Sequence, residues 1–419
     1  MILKNLPKEW KIVKLEEVLT LIRNGLTYQQ NKAGNGLPIT RIETISDEKI
    51  DPTKVGFVNN PTDDELKEYR LIVGDILFSH INSLGHIGKT AIYEGTPKIL
   101  LHGMNLLLLR PDKQKVEPYF LLYLLKIYRA KKIFKNMAKK AVNQASINQT
   151  QLIKVKIPLP LLPEQKKIAE ILSTVDKAIQ KVNEIIAKTE RLKKGLMQKL
   201  LTKGIGHKEF KYSKELGCEI PKEWGVVRLK DICIINPEQI DPRIQMPNRT
   251  FLYIDIRSVE EGRIKEYKEI LGKNAPVRAR RVIHKNDVIM STVRPYLKAF
   301  ALVPEQYDGQ ICSTGFAILK CNQNKINPHY LLYTLLFDKS IDQCKAMMVG
   351  GQYPALNQSQ VENLKIPLPP LQEQQKIAEI LSTIDKKLEL ERKRKEKFDK
   401  IKKGLMNDLL TGRKRVKLK

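Results

Sequence analysis

Three short strings in this 419-residue chain carry residue types that could do chemistry. NSLGHIGKT from Asn82 approaches a phosphate loop, in which backbone N–H groups and a lysine cradle phosphate oxygens. Ser83 stands where the first glycine is required, and the AIYEG that follows reads as a strand where such a loop must open a helix. NPHY at Asn327 has the outline of an N-P-P-Y amino-methyltransferase string, yet no Gly-rich cofactor loop accompanies it and it opens an apolar helix. Glu65-Leu66-Lys67 after Asp63 and Asp64 spells a nuclease-like E-x-K. A chain that is 29% charged produces such triplets freely, and this one reads as a solvated helix face. The six histidines, at 80, 86, 102, 207, 284 and 329, lack metal-ligand spacing. The five cysteines, at 218, 233, 312, 321 and 344, include no C-x-x-C and read as buried thiols of a reducing compartment. No catalytic centre, metal or cofactor is predicted.

Binding is the chemistry that the composition does favour. Lys and Arg number 75 against 46 Asp and Glu, a net charge of +29, which calls for a polyanionic partner because every phosphate contact releases condensed counterions. Nucleic acid is the expected partner, with an anionic membrane surface as the alternative. No run approaches the roughly 20 apolar residues of a membrane span, and MILKNLPKEW reads as no signal peptide, so the expectation is a cytoplasmic chain. Arg and Lys pair with guanine edges, and Asn and Gln with adenine edges. In the first half the candidate DNA-reading residues are Arg23, Gln29, Gln30, Lys89, Lys139, Lys140 and Gln144. In the second they are Arg243, Arg249, Arg294, Lys298 and Gln352. His80 and His86 share a divergent loop with Lys89 and could also touch DNA.

The elements that must position these residues are written twice. KIAEILST from Lys167 recurs from Lys376, LPKEWKIVKLEEV from Leu6 recurs as IPKEWGVVRLKDI from Ile220, and LKKGLMQKLLTKG from Leu192 is answered by IKKGLMNDLLTGR from Ile401. A repeat of this length divides the chain before any other feature does. After each IPLP string, apolar residues step by three and four: Ile168, Ile171, Val175, Ala178, Val182 in one copy and Ile377, Ile380, Leu381, Ile384, Leu388 in the other. That spacing predicts two long helices. Pro163 suits the first turn of one, and Gly204 its end. Charge from Glu391 to Lys397 breaks the second stripe, so its middle should be less buried. Gly195 and Gly404, equivalent and inside the helices, predict a close helix-to-helix approach. Trp10 and Trp224 read as core anchors, and Asn148 and Asn357 as helix caps.

Between these shared strings lie two regions of about 150 residues that agree only in outline. VGDILFS from Val73 matches NDVIMS from Asn286 as a buried strand, and VEPYFLLYLLKI from Val116 matches INPHYLLYTLLFD from Ile326 as an apolar helix. HINSLGHIGKTAIY from His80, by contrast, faces an unrelated TVRPYLKAFALV from Thr292. The expected fold is α/β (α+β), with two similar globules, each followed by a long helix. Residues 1–155 and 207–364 form the globules, 156–206 and 365–412 the helices, and 413–419 a basic tail.

PKEW, the G-D-I-L-F-S strand with its N-D-V-I-M-S counterpart, the N-Q-S/T step, IPLP, E-Q-x-K-I-A-E-I-L and KKGLM, in this order in both halves, resemble the specificity subunit of type I restriction-modification systems. The resemblance covers nearly the whole chain. It implies two target recognition domains, each reading half of a split duplex site, and two conserved helices packed as an antiparallel coiled coil with pseudo-twofold symmetry. It also implies partners: two adenine methyltransferase (methylation) subunits and, through them, motor-nuclease (restriction) subunits. Two other readings compete. A self-sufficient methyltransferase or nuclease would modify or cut DNA alone, and a two-domain RNA-binding or scaffold protein would prefer structured RNA at equal salt.

Overall fold

A computed structural model describes residues 3, 6–29, 34–142, 144–348 and 354–417. The chain forms two compact units, Met1–Asn183 with Lys393–Lys419 and Glu184–Arg392. The division falls inside each of the two long helices, Leu162–Lys203 and Leu371–Leu409. As the sequence predicts, Pro163 lies in the first turn of its helix, and Gly204 follows the last turn with φ +62°.

In the first unit an antiparallel sheet runs in the order Leu19–Asn24, Leu107–Pro111, Ile76–Phe78, Thr90–Ile92. Its two inner strands run apolar without alternation from Ile76 to Phe78 and from Leu107 to Leu109 because both faces are covered. Ile76, Phe78, Leu107 and Leu109 pack with Phe120, Leu121 and Leu124 of helix Pro118–Ala130. Leu77, Ala91 and Leu108 face the other way, onto Ile45, Leu71 and Leu100. Strand Lys11–Lys14 pairs with Lys156–Leu159, so the start of the domain is tied to the strand that leads into the long helix.

The second unit repeats this plan. Cys233–Ile235, Phe316–Cys321, Val288–Ser291 and Phe300–Leu302 form a sheet of the same order, and Gly225–Arg228 pairs with Lys365–Leu368. Helix Pro328–Leu336 covers one face of the sheet. The other face packs on a second sheet, Lys268–Leu271, Thr250–Ile254, Gln310–Ser313, Ala279–Ile283, which contains one parallel pair. The molecule is thus mixed α/β.

The repeated strings make the same contacts in each unit. Trp10 and Trp224 are buried, and their indoles donate to Glu164 and Glu373 at 3.2 and 3.0 Å. Arg415 then grips Glu164 and Glu9, while His207 meets Glu373 at 2.9 Å. The Gln165 amide accepts from Glu117 N–H and donates to the Lys115 and Pro160 carbonyls. Gln374 treats Asn327, Lys325 and Pro369 in the same way. Tyr123 donates to Asp176, which pairs with Lys402, and Tyr333 donates to Asp385, which pairs with Lys193. These strings therefore dock a globule onto helix.

Two helix expectations meet different outcomes. The charged middle of the second helix stays helical and is less buried, with half-buried Glu391 where the first copy has buried Val182. The close approach expected at Gly195 and Gly404 is absent: a Cβ added at either would find nothing within 4 Å.

Candidate nucleic-acid interface

In both units the shared framework brings two divergent segments to one edge. Ile81–Asn82 pairs antiparallel with Gln144–Ser146, Ile81 opposite Ser146, and Ile147 N–H donates to the His80 carbonyl at 2.8 Å. In the second unit Val293 pairs antiparallel with Ala355. Arg294 N–H donates to Pro354, and Leu356 N–H to Thr292, each at 2.9 Å. These are the same place in the repeat. Ile81 and Val293 each follow the strand that begins after Asp75 or Asp287, and Ser146 and Ala355 each stand two residues before an asparagine cap. Asn148 accepts from Thr150 N–H and Asn357 from Gln360 N–H, at 2.8 and 2.9 Å, so both cap short helices as expected.

On the first edge the structure gathers Lys139, Lys140 and Gln144. They lie on a ribbon in which Lys139–Ala141 pairs with Gln144–Ser146, all three exposed, while Ala145 and Ile147 anchor it in the core. Val142, which sequence reasoning missed because it is apolar, is 92% exposed at the turn. Lys89 is turned inward, its ammonium on the Ser46 carbonyl. His86 is exposed, but His80 is buried, and burial pushes its imidazole down to about 4, so near neutral pH it is an uncharged interior group. Arg23, on strand Leu19–Asn24, is engaged with the Glu68 carboxylate and carbonyl and lies 4.8 Å over the Tyr69 ring. Gln29 is exposed nearby in sequence, and Gln30 lies outside the described residues.

On the second edge Arg294 is exposed, and Lys298 pairs with Asp338 at 2.9 Å. Gln352 lies outside the described residues. Arg243 and Arg249 are elsewhere, before strand Thr250–Ile254 of the second sheet. Arg249 is exposed, and Arg243, with Arg280, holds the Asp241 carboxyl down at about 2.

The strings weighed as chemistry have framework roles. Thr90, the last residue of the near-phosphate string, is buried in strand Thr90–Ile92. Asn327 of NPHY caps helix Pro328–Leu336. Glu65 completes a capping box with Thr62. No group of three or more His, Cys, Asp or Glu suited to a metal occurs among the described residues, nor does a helix long and apolar enough to cross a membrane.

The profile of the type I restriction modification DNA specificity domain matches residues 7–191 and again 221–399. A putative type I restriction enzyme MjaX specificity subunit of Methanocaldococcus jannaschii is 46% identical, over 98% of this chain and 95% of its own length. The MjaVIII specificity subunit of the same organism is 32% identical over 71% of each chain. Among solved structures, the type I restriction-modification S subunit of M. genitalium superposes with a TM-score of 0.60 at 16% identity, over 97% of both chains. The chain belongs to the type I restriction modification DNA specificity family. Its role is DNA recognition, as the non-catalytic subunit of such a system.

Proposed function

We propose that the chain reads an asymmetric, bipartite duplex, one half-site per variable domain, 1–155 and 207–364. The observation that carries this reading is the repeated edge: pairs Ile81–Ser146 and Val293–Ala355 hold divergent segments at equivalent places on a shared framework. The readers are drawn from Arg23, Gln29, Gln30, Lys89, Lys139, Lys140 and Gln144 in one domain and Arg243, Arg249, Arg294, Lys298 and Gln352 in the other. Lys139, Lys140, Gln144 and Arg294 have the strongest support, because they are exposed on those edges.

The helices of 156–206 and 365–412 act as antiparallel spacers in a pseudo-twofold frame, a geometry suited to two readers on one duplex, and 413–419 is a basic tail. Because the docking contacts of Trp10, Gln165 and Asp176 recur at Trp224, Gln374 and Asp385, the frame offers equivalent places for two methylation subunits, through which restriction subunits join. The assembly acts in the cytoplasm and needs no cofactor from this chain. Selection of bound fragments from a random duplex pool, with the methylating partner present, tests the reading. The expected product is two different short motifs at a fixed gap, and a single undivided motif contradicts it.

A further inference from the structure

We propose that Leu297, raised on the loop Thr292–Lys298, is a specificity contact that recognises the C5-methyl group of a thymine in the half-site read by the second domain. This rests on the duplex-reading function proposed above.

The loop is built to present that side chain. Arg294 and Lys298, at φ +49° and +55°, bracket the turn Pro295–Leu297 in left-handed backbone that residues with a Cβ rarely adopt. Its feet are fixed. Pro295 and Ala299 are buried, Leu297 N–H donates to the Arg294 carbonyl, Lys298 N–H donates to the Pro295 carbonyl, and the Lys298 ammonium is held on Asp338. What the strained turn offers outward is Leu297, 63% exposed, beside Tyr296, 37% exposed.

Three features favour DNA as what this apolar tip touches. The loop lies on the edge defined by Val293 and Ala355, and it carries the exposed Arg294. It is also divergent: the first domain has HINSLGHIGKT at the equivalent place. A partner that docks equally on both halves must use what they share, whereas base reading must use what they do not. Among base edges in the major groove, the thymine methyl is the apolar one, so it is the feature a leucine can distinguish. At the other edge Val142 projects similarly from its ribbon, in keeping with an apolar contact beside basic and amide readers.

The test uses the full chain with its methylating partner. Fragment selection first gives both half-sites, and the half retained when Leu21–Leu152 is exchanged belongs to the second domain. Each thymine of that half is then replaced by deoxyuridine, which removes only the methyl group. At one position wild-type affinity should fall about fourfold, the value of one buried methyl, while Leu297→Ala should bind thymine and deoxyuridine duplexes equally. The inference is overturned if that half-site contains no methyl-sensitive thymine, or if Leu297→Ala keeps the discrimination. A pool that yields no bipartite motif contradicts the underlying function, and this proposal with it. Leu297 is exposed and replaceable without a cavity, and an unchanged thermal midpoint for Leu297→Ala separates lost contact from lost fold.

Discussion

Asp75 and Asp287 hold the same turn in the two units, each accepting a backbone N–H three residues upstream, from Ile72 and from His284, at 2.9 Å. They differ in what neutralises them. Arg110 grips Asp75 through two bonds of 2.8 Å, whereas at the equivalent place Lys320 is exposed and burial raises the Asp287 carboxyl above its ordinary 3.8. A carboxyl with a raised folded value resists ionisation in the fold. The penalty is absent below about 3.8, where both folded and unfolded states are protonated, and develops as pH rises through the folded value. Asp287→Asn should therefore raise the thermal midpoint at pH 7, with a smaller gain at pH 4. Equal gains at both pH values would contradict this. Arg110→Ala should do the opposite in its unit, costing about 2–3 kcal/mol in denaturant titration, because it strands a buried carboxylate. The sequence shows both aspartates inside matching strings. It gives no sign that one has a guanidinium partner, because Arg110 is 35 positions away on another strand. Nor does it mark Val142 or Leu297, whose types suit a core and whose exposure only the fold reveals.

At the scale of elements, the long helices were the most legible part. A three-four stripe, a proline at the start and a glycine at the end suffice because helix contacts are local. The close approach that Gly195 and Gly404 predict does not form, because sequence cannot tell which helix face a neighbour approaches. With open space at both, each glycine-to-alanine change should stabilise the full chain by about 1 kcal/mol from helix propensity alone. Gly204→Ala should behave oppositely: its φ is +62°, and a Cβ would stand 2.5 Å from Glu373 Oε1 and 2.7 Å from the Trp224 ring. Thermal melts of the three variants check the contrast, and a loss of stability at Gly195→Ala would mean that something packs there. The second sheet of the second unit was not legible. Its parallel partners, Tyr253 with Ile311 and Ile254 with Cys312, lie far apart in sequence, and nothing local specifies such a pairing.

At the scale of the molecule, charge and repeat make separate predictions. Much of the +29 is spread over exposed lysines, so binding by the isolated chain should be weak in sequence preference and steep in salt. If ten phosphates are neutralised, log affinity falls against log salt with a slope of about −9, and a slope shallower than about −3 would contradict a broad phosphate footprint. The repeat bears on the central claim, that the two variable domains read independently. The most direct measurement replaces Leu21–Leu152 by the corresponding region of another family member and repeats the selection from a random duplex pool with the methylating partner present. The account predicts that one half of the selected site changes while the other half keeps its bases. A change in both halves, or in neither, would contradict it.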